Sequence, residues 1–302
     1  MKKLTAKQEW ALEQIKQLQV TENLSAAAVC KKIGISDSSY SAIKSGTYNG
    51  DVDKQMKKVI EYFETKQAAA EIYVGTDYKD TSISSNVYKI IRNCQLQGGL
   101  AIACGDAGIG KTQACRQYYR EHGTNCIYIT VNPCIKSSKS VLELNVSSGS
   151  VSRLWLEISS KLSDGMVIIV DEAQHLTRNA IDTLRSLCDS FDENGQTLGV
   201  CFVGNETTVS RLGGKQKAEF AQIRNRTKNT RFYSVKQIKK SDIEMLFPDI
   251  RADAAAVEFL LRIAQSPQAI RGAVNLYSNA LDNGNVTAKG LSAIAKYMDM
   301  AV

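Results

Sequence analysis

The chain has 302 residues, enough for two domains with sizeable cores, and its hydrophobic share of 43% and charged share of 23% are ordinary for a globular protein. No stretch approaches the roughly 20 uninterrupted apolar residues of a membrane helix, and no apolar run follows the N-terminal lysines as it does in a signal peptide. The 8 cysteines never have Cys-x-x-Cys spacing and there are only 2 histidines, which argues against zinc sites and a disulfide framework. We therefore expect a cytoplasmic protein.

The formal net charge is +7, and the basic excess is concentrated in one segment. Between residues 211 and 240 the only acidic residue is Glu219. The basic residues of this segment are Arg211, Lys215, Lys217, Arg224, Arg226, Lys228, Arg231, Lys236, Lys239 and Lys240. Such a concentration of one charge favours a polyanionic partner, with a solvated surface as the alternative.

The first 70 residues are rich in helix formers and predict an all-α domain. Residues 25–46 predict two helices joined at Gly34, with Ser36 as the N-cap of the second, in a pattern that resembles a Cro/repressor-like helix-turn-helix. The candidate core residues are Val29, Ile33, Ile35, Tyr40 and Ile43. A mixed Lys/Glu helix closes this block, and residues 71–85 lose the periodicity, as a linker does.

Between residues 86 and 238 short apolar runs alternate with helical patterns. The runs cover residues 100–104, 126–131, 166–170, 198–203 and 231–235. Runs of this length separated by helices predict an α/β core with a parallel five-stranded sheet and crossover helices. Residues 239–302 return to helical spacing, from Ala254 to Ala264 and from Ala269 to Leu281, and predict a C-terminal helical domain.

The segment Gly105–Thr112 matches the phosphate-binding pattern G-x-x-x-x-G-K-[ST]. It follows a strand-like run and precedes a helical stretch, a context in which backbone N–H groups and a helix N-terminus cradle phosphates. Lys111 is expected to reach the β- and γ-phosphates of ATP, and the Thr112 hydroxyl is expected to bind Mg²⁺. The predicted nucleotide-binding residues are Gly105, Asp106, Ala107, Gly108, Ile109, Gly110, Lys111, Thr112, Gln113 and Asp171.

Acidic residues follow the apolar run at 166–170. Asp171, at the end of a buried strand, is a candidate to hold the magnesium shell, and Glu172 is a candidate to orient and deprotonate an attacking water. Asn205 follows the next run and is a candidate contact to the γ-phosphate or the water, although Asn also caps helices for structural reasons. These residues predict an ATPase that uses Mg²⁺.

The phosphate loop, Asp171-Glu172, Asn205, a late arginine-containing segment and a helical tail resemble an AAA+ ATPase in their order. The resemblance implies that Asn205 is sensor 1 and that Arg271, in a helical lid, is sensor 2. It also implies that Arg226, with Arg224 as its rival, is the arginine finger that reaches a neighbour's ATP. Because a trans arginine accelerates phosphoryl transfer by orders of magnitude, activity is expected to depend on oligomerisation. A surface or DNA-facing charge is the alternative for each arginine.

The segment Asp171–Leu176, read Asp-Glu-Ala-Gln-His-Leu, is similar to the form found in transposition regulators of the MuB and TnsC type and their ExeA-like relatives. The N-terminal block favours the MuB type. The resemblance implies a protein of the bacterial or phage-infected cytoplasm that forms an ATP-dependent helical filament on double-stranded DNA, marks a transposition target and activates a transposase. Its DNA contacts are expected to be to phosphates, largely independent of sequence. The candidates are Lys136, Lys139, Arg178, Lys215 and Lys217, with solvated loop residues as the alternative.

Three other functions share the same ATPase residues: a helicase loader or replication initiator, a transcription regulator whose helix-turn-helix reads an operator, and an ExeA-like ATPase of a secretion assembly. DNA-reading helices usually present Arg, Lys, Gln or Asn, whereas the second helix of the predicted helix-turn-helix offers Ser38, Ser39, Ser41 and Lys44, with Asp37 at its start. A DNA contact and a protein-docking role of this domain therefore both stay open.

Overall fold

The computed structural model describes residues 4–21, 24–71, 78–134, 137, 160–208 and 227–300. The chain divides into two units, Met1–Val74 and Gly75–Val302. None of the helices in these described stretches is long and apolar enough to cross a membrane.

The first unit is all-α. Its helices are α1 (Ala6–Thr21), α2 (Ala26–Ile33), α3 (Asp37–Ser45) and α4 (Val52–Glu71). The predicted core residues are all buried: Val29, Ile33, Ile35, Tyr40 and Ile43. They form one cluster with Ala11 and Ile15 of α1 and Val59 of α4, which confirms the predicted core.

Capping residues set the turn between α2 and α3. Gly34 adopts a left-handed conformation with φ of 81°, and its N–H closes α2 on the carbonyl oxygens of Cys30 and Lys31. Ser36 caps α3 as predicted, since its Oγ accepts the Ser39 N–H at 3.1 Å. A side chain with a Cβ is strained at the backbone angles of Gly34, which explains the glycine at this turn.

The second unit is built on a sheet of five strands, counted over the described residues, in which every pairing is parallel. The strands are β1 (Gly99–Gly105), β2 (Cys126–Thr130), β3 (Met166–Asp171), β4 (Leu198–Gly204) and β5 (Thr227–Tyr233), in the order β2-β3-β4-β1-β5. The predicted α/β fold with a parallel five-stranded sheet is confirmed. Strands β1, β3 and β4 are buried almost throughout, which is why they appear in the sequence as continuous apolar runs.

The position predicted for the fifth strand, residues 231–235, is wrong by several residues, because β5 covers Thr227–Tyr233. This strand lies at the edge of the sheet, next to β1. Its residues Lys228, Thr230 and Phe232 are exposed and only Tyr233 is buried, so no apolar run marks the strand. A short 3₁₀ turn, Val235–Gln237, begins at the last residue of the predicted strand.

Among the residues that the structure describes, three helices accompany the sheet: α5 (Ser82–Gln97), α6 (Lys111–His122) and α7 (Arg178–Glu193). Helix α7 presents Ile181, Leu184 and Leu187 to the apolar side chains of β1, β3 and β4 in a single buried cluster. Burial of each side chain of this size contributes about 1.5–3 kcal/mol.

Helix α5 begins at Ser82, inside the stretch 71–85 that lacks periodicity. Thr81 caps the helix, because its Oγ1 accepts the Ser84 N–H at 3.4 Å. The N–H and Oγ of Ser82 donate to the buried carboxylate of Asp242 at 2.7 and 2.6 Å. Ser and Thr are also typical loop residues, so the sequence alone does not reveal this start.

The C-terminal part is helical, as predicted. Its helices are α8 (Lys240–Leu246), α9 (Ala254–Ala264), α10 (Ala269–Asp282) and α11 (Ala288–Tyr297). The apolar spacing of the sequence places α9 at its observed bounds and α10 within one residue. Helices α9, α10 and α11 contact one another and bury Leu260, Leu276 and Leu291 between them.

Candidate nucleotide-binding site

Several predicted site residues lie at one edge of the sheet. Strands β1, β4 and β3 are neighbours and run parallel, so their carboxyl ends lie side by side. The phosphate loop leaves β1 after Gly105, Asp171 ends β3, and Asn205 follows β4. The carboxyl edge of an open parallel sheet is where such folds bind ligands.

Glycines shape the loop between β1 and α6. Gly108 and Gly110 have φ values of 77° and 98°, in the left-handed region that favours glycine. Gly105 passes so close to β5 that a Cβ on it would lie 2.1 Å from the Tyr233 carbonyl oxygen. Gly110 caps α6 without a side-chain hydrogen bond. The first-turn N–H groups of α6 therefore point out of the helix, as an anion-binding helix terminus requires.

Lys111, the first residue of α6, folds back onto the loop. Its Nζ donates to the carbonyl oxygens of Gly105 and Asp106 at 2.8 and 2.5 Å. Burial lowers the pKa of Lys111, and the nearby carboxylate of Asp171 opposes this shift. The ammonium group thus lies inside the glycine loop, on contacts that phosphate oxygens can replace.

Asp171 is buried, with 2% of its surface exposed, and is held by hydrogen bonds on both oxygens. Oδ2 accepts the Tyr128 hydroxyl of β2 at 2.9 Å, and Oδ1 accepts the Glu172 N–H at 3.0 Å. Burial raises the pKa of Asp171, whereas hydrogen bonds from the Thr112 and Tyr128 side chains lower it. The structure therefore brings Thr112 and Asp171 together. Sequence reasoning missed Tyr128, because an aromatic residue in a strand is usually a core residue.

Glu172 is exposed and has left-handed backbone angles, with φ of 56°. Such angles are rare for a residue with a side chain and are found mostly where the surroundings enforce them, often at functional sites. The Gln174 side-chain amide donates to the Glu172 carboxylate. Gln174 was not predicted as a site residue, although it lies in the Asp-Glu-Ala-Gln-His-Leu segment that resembles the transposition regulators.

Asn205 caps the helical turn that follows β4. Its Oδ1 accepts the N–H and the hydroxyl of Thr207 at 3.0 and 2.6 Å. Its own N–H donates to Gln174 Oε1 at 3.3 Å. The structural reading of this asparagine as a cap is thus observed, and the sensor role stays a prediction.

The start of α10 lies against the phosphate loop. The Arg271 N–H donates to the Gly108 carbonyl oxygen at 3.2 Å, and the Arg271 side chain is exposed. A Cβ on Gly108 would lie 3.2 Å from the Cβ atoms of Ala269 and Arg271. Ala269 itself is buried and has a left-handed φ of 56°. The lid arginine predicted from the sequence is therefore adjacent to the loop predicted to bind phosphate.

Comparison with known proteins agrees with this geometry. A family model described as an AAA domain matches residues 94–212. The ATP-dependent target DNA activator B of Escherichia phage Mu is 28% identical over 274 residues, covering 85% of this chain and 82% of the phage protein. The Mu-like prophage FluMu DNA transposition protein B of Haemophilus influenzae is 26% identical over 283 residues, covering 88% and 95%. The chain carries an AAA domain and resembles the MuB-type target DNA activators over most of its length.

Among solved structures, the RuvB Holliday junction branch migration motor of Thermotoga maritima matches with a TM-score of 0.46 and 15% identity, over 71% of this chain and 68% of that one.

The side chains of this AAA+ ATPase fit a nucleotide with Mg²⁺. The Thr112 hydroxyl and the Asp171 carboxylate are hard oxygen donors close enough for Thr112 to lower the pKa of Asp171, and Mg²⁺ prefers such donors. The loop carries one ammonium group, Lys111, within a ring of backbone groups, which suits a polyphosphate. The flanking loop positions Ala107, Ile109 and Gln113 remain predicted contacts; Ile109 is fully buried and Ala107 and Gln113 are exposed.

Most predicted DNA and intersubunit contacts lie outside the described residues: Lys136, Lys139, Lys215, Lys217, Arg224 and Arg226. The remaining candidate, Arg178, is the exposed first residue of α7 and lies 3.9 Å from the Asp182 carboxylate. An exposed i,i+4 ion pair of this length stabilises a helix only weakly, so it does not exclude a phosphate contact.

Proposed function

We propose that this chain binds ATP with Mg²⁺, oligomerises on double-stranded DNA largely independently of sequence, marks a transposition target and activates a transposase. The observation that carries the proposal is the alignment of 85% of the chain with the ATP-dependent target DNA activator of phage Mu. The nucleotide-binding geometry supports it, since an ATP-dependent activator requires a phosphate loop and a water-activating carboxylate.

At the nucleotide, each proposed role follows from position. Lys111 exchanges its two carbonyl contacts for β- and γ-phosphate oxygens, and the backbone N–H groups of the loop bind the same phosphates. Thr112 and Asp171 would hold Mg²⁺, which neutralises phosphate charge when bound. Glu172 orients the attacking water and accepts its proton. Asn205 contacts the water or the γ-phosphate from the end of β4.

Two arginines complete the proposed site. Arg271 reaches the phosphates from the lid, where its backbone already contacts the phosphate loop. Arg226, or Arg224 as the alternative, reaches the ATP of a neighbouring subunit, so that hydrolysis requires assembly.

The proposed DNA contacts are cations that bind phosphates. Lys136, Lys139, Lys215, Lys217 and Arg178 neutralise backbone charge without reading bases, which gives affinity that falls with salt. Hydrolysis then disassembles the filament, and cutting and joining belong to the transposase.

The test is negative-stain electron microscopy of the purified protein with random-sequence duplex DNA, in ATP and in ADP. The Lys111→Ala variant is the control, because it removes the phosphate contact while leaving the DNA-binding candidates in place. Filaments that require both ATP and Lys111 support the proposal. Monomers or closed rings in every nucleotide state contradict filament formation and favour a helicase loader or a regulator.

A further inference from the structure

Gln174 connects two predicted catalytic positions, Glu172 and Asn205, that directly follow different strands. It is in the 3₁₀ turn Ala173–His175 after β3 and is buried, with 8% of its surface exposed. Its amide donates through Nε2 to the Glu172 carboxylate. Its Oε1 accepts the Asn205 N–H at 3.3 Å and the Thr208 hydroxyl at 3.4 Å.

The chemistry of the neighbours fixes the orientation of this amide. An ionised carboxylate only accepts hydrogen bonds, whereas a backbone N–H only donates. The NH₂ group must therefore face Glu172 and the carbonyl oxygen must face β4. The Gln174 amide therefore bridges the two positions, because it donates a hydrogen bond to Glu172 and accepts one from Asn205. An apolar side chain makes neither hydrogen bond, and an ionised carboxylate cannot donate one.

Close packing at the end of β4 leaves the bridge little freedom. A Cβ on Gly204 would lie 2.5 Å from Gln174 Oε1 and 2.2 Å from Thr208 Oγ1, so glycine is required for the two strand ends to meet. Thr208 is fully buried. The amide is thus confined between the strand end and the carboxylate.

We propose that Gln174 is a positioning residue for ATP hydrolysis: its amide holds the Glu172 carboxylate and the Asn205 end of β4 as one unit. Glu172 is exposed and has strained backbone angles, so its side chain depends on an external contact for a fixed direction. The inference rests on the proposed role of Glu172 as the group that activates water. Displacement of such a group by about 1 Å typically costs up to about 100-fold in rate.

The test is a double-mutant cycle on full-length protein, measured as single-turnover and steady-state ATP hydrolysis. Gln174→Met keeps the length of the side chain and removes all three of its hydrogen bonds. We expect kcat to fall about 10- to 100-fold while KM for ATP changes less than about twofold. In a Glu172→Gln background the same change is expected to have no further effect, because the carboxylate that Gln174 positions is gone.

Two further variants keep the test decisive. Gln196→Met, the same chemical change at an exposed residue before β4, is expected to leave kcat unaltered. Gln174→Glu keeps the oxygen that faces β4 and places a second carboxylate beside Glu172. Gln174→Glu is expected to lower kcat, and it provides the test if Gln174→Met does not fold. This loss is also expected only in protein that retains Glu172.

The outcomes separate the inference from the proposed function. The positioning role of Gln174 is overturned if its substitution lowers kcat equally in the wild-type and Glu172→Gln backgrounds, or if it leaves kcat of the wild-type background unaltered. Neither result affects the proposed role of Glu172. If Glu172→Gln hydrolyses ATP like the wild type, the role of Glu172 fails and the inference falls with it. A wild-type protein without ATP hydrolysis contradicts the proposed function itself.

Discussion

Tyr128 shows how one hydroxyl group can serve the nucleotide site from outside the motifs. Its ring belongs to β2, and its hydroxyl donates to the carboxylate proposed to hold Mg²⁺. Burial and the adjacent Asp171 charge raise the pKa of Tyr128 to about 12, so the hydroxyl remains a donor at every physiological pH. Asp171 therefore keeps one oxygen fixed toward β2.

We expect Tyr128→Phe to raise the Mg²⁺ concentration needed for half-maximal ATP hydrolysis by roughly tenfold, because a hydrogen bond to a charged group contributes about 1.5–3 kcal/mol. A magnesium titration of ATPase activity measures the effect. Tyr119→Phe is the matched control, since Tyr119 is exposed and its ring lies 6.0 Å from that of Tyr128. Equal magnesium requirements for both variants and the wild type would show that the hydroxyl does not position Asp171.

Single site residues could be predicted from the sequence only where they belong to a short contiguous motif. The motif predicts that Lys111 and Thr112 follow a strand and a loop and begin a helix, and the structure has this order because the three segments are contiguous in the chain. Tyr128 and Gln174 were not predicted as site residues because their partners depend on how strands pair, which no short pattern encodes. The left-handed conformation of Ala269 was equally invisible, since alanine carries no signal for it.

Among the elements, the contact between α10 and the phosphate loop has the clearest consequence. Gly108 has no side chain, and its carbonyl oxygen accepts a hydrogen bond from the Arg271 N–H. The missing Cβ is what permits this approach, because a methyl group would meet two Cβ atoms at 3.2 Å. The position of the lid helix therefore depends on a glycine in the loop.

We expect Gly108→Ala to weaken ATP binding, seen as a higher KM for ATP, and to lower the melting temperature. Gly284→Ala is the control for the backbone cost, because Gly284 has a similar φ of 66° and no atom within 4 Å of its built Cβ. Strain at such a position costs roughly 1–3 kcal/mol in either variant. Only Gly108→Ala should also displace α10, so equal KM values in the two variants would argue against a role of this contact.

Helices and strands differed in how well the sequence located them. Helix α9 has an apolar face, and the helical spacing of its apolar residues in the sequence predicts the residues at which the helix begins and ends. Strand β5 has polar and exposed residues at most of its positions, so its identity comes from pairing with β1 rather than from its own composition. The start of α5 depends on Asp242, which is 160 residues away from Ser82.

At the scale of the whole molecule, the reactivity of the cysteines reports how tightly the chain is packed. Cys134 is exposed and the other seven are buried. We expect a thiol reagent to label one cysteine per native chain and all 8 after unfolding. Mass spectrometry of the labelled protein identifies the site. Rapid labelling of a cysteine in β1 or β4 would contradict the packed sheet.

The same thiols predict how stability depends on pH. Burial raises the pKa of Cys126 to about 12 and that of Cys201 well above its ordinary value of 9.0. Above pH 9 the unfolded thiols ionise while the folded ones stay protonated, so the free energy of unfolding falls as pH rises from about 9 toward 12. Each such thiol contributes about 1.4 kcal/mol per pH unit within its window. Chemical denaturation at several pH values measures the slope, and Cys126→Ala is expected to have a shallower one.

The proposed DNA binding involves many phosphate contacts, and its dependence on salt concentration tests it. If Lys215 and Lys217 each neutralise a phosphate, replacing both with Gln should lower the slope of log affinity against log salt by about 2. Lys289→Gln with Lys296→Gln on α11 is the control pair of equal charge. The same slope for both double variants would place the DNA contacts elsewhere.

The order of the strands in the sheet sets the distances between the residues of the nucleotide site. Neighbouring strands lie about 4.8 Å apart whatever side chains they carry, so the spacing between the phosphate loop, Asp171 and Asn205 is set by backbone hydrogen bonds. Helices around the sheet can exchange their apolar residues without altering those distances. This tolerance is consistent with the alignment to the phage Mu activator over 274 residues at only 28% identity. Mutational drift in this family is therefore expected to accumulate on the helix faces and to spare the strand ends.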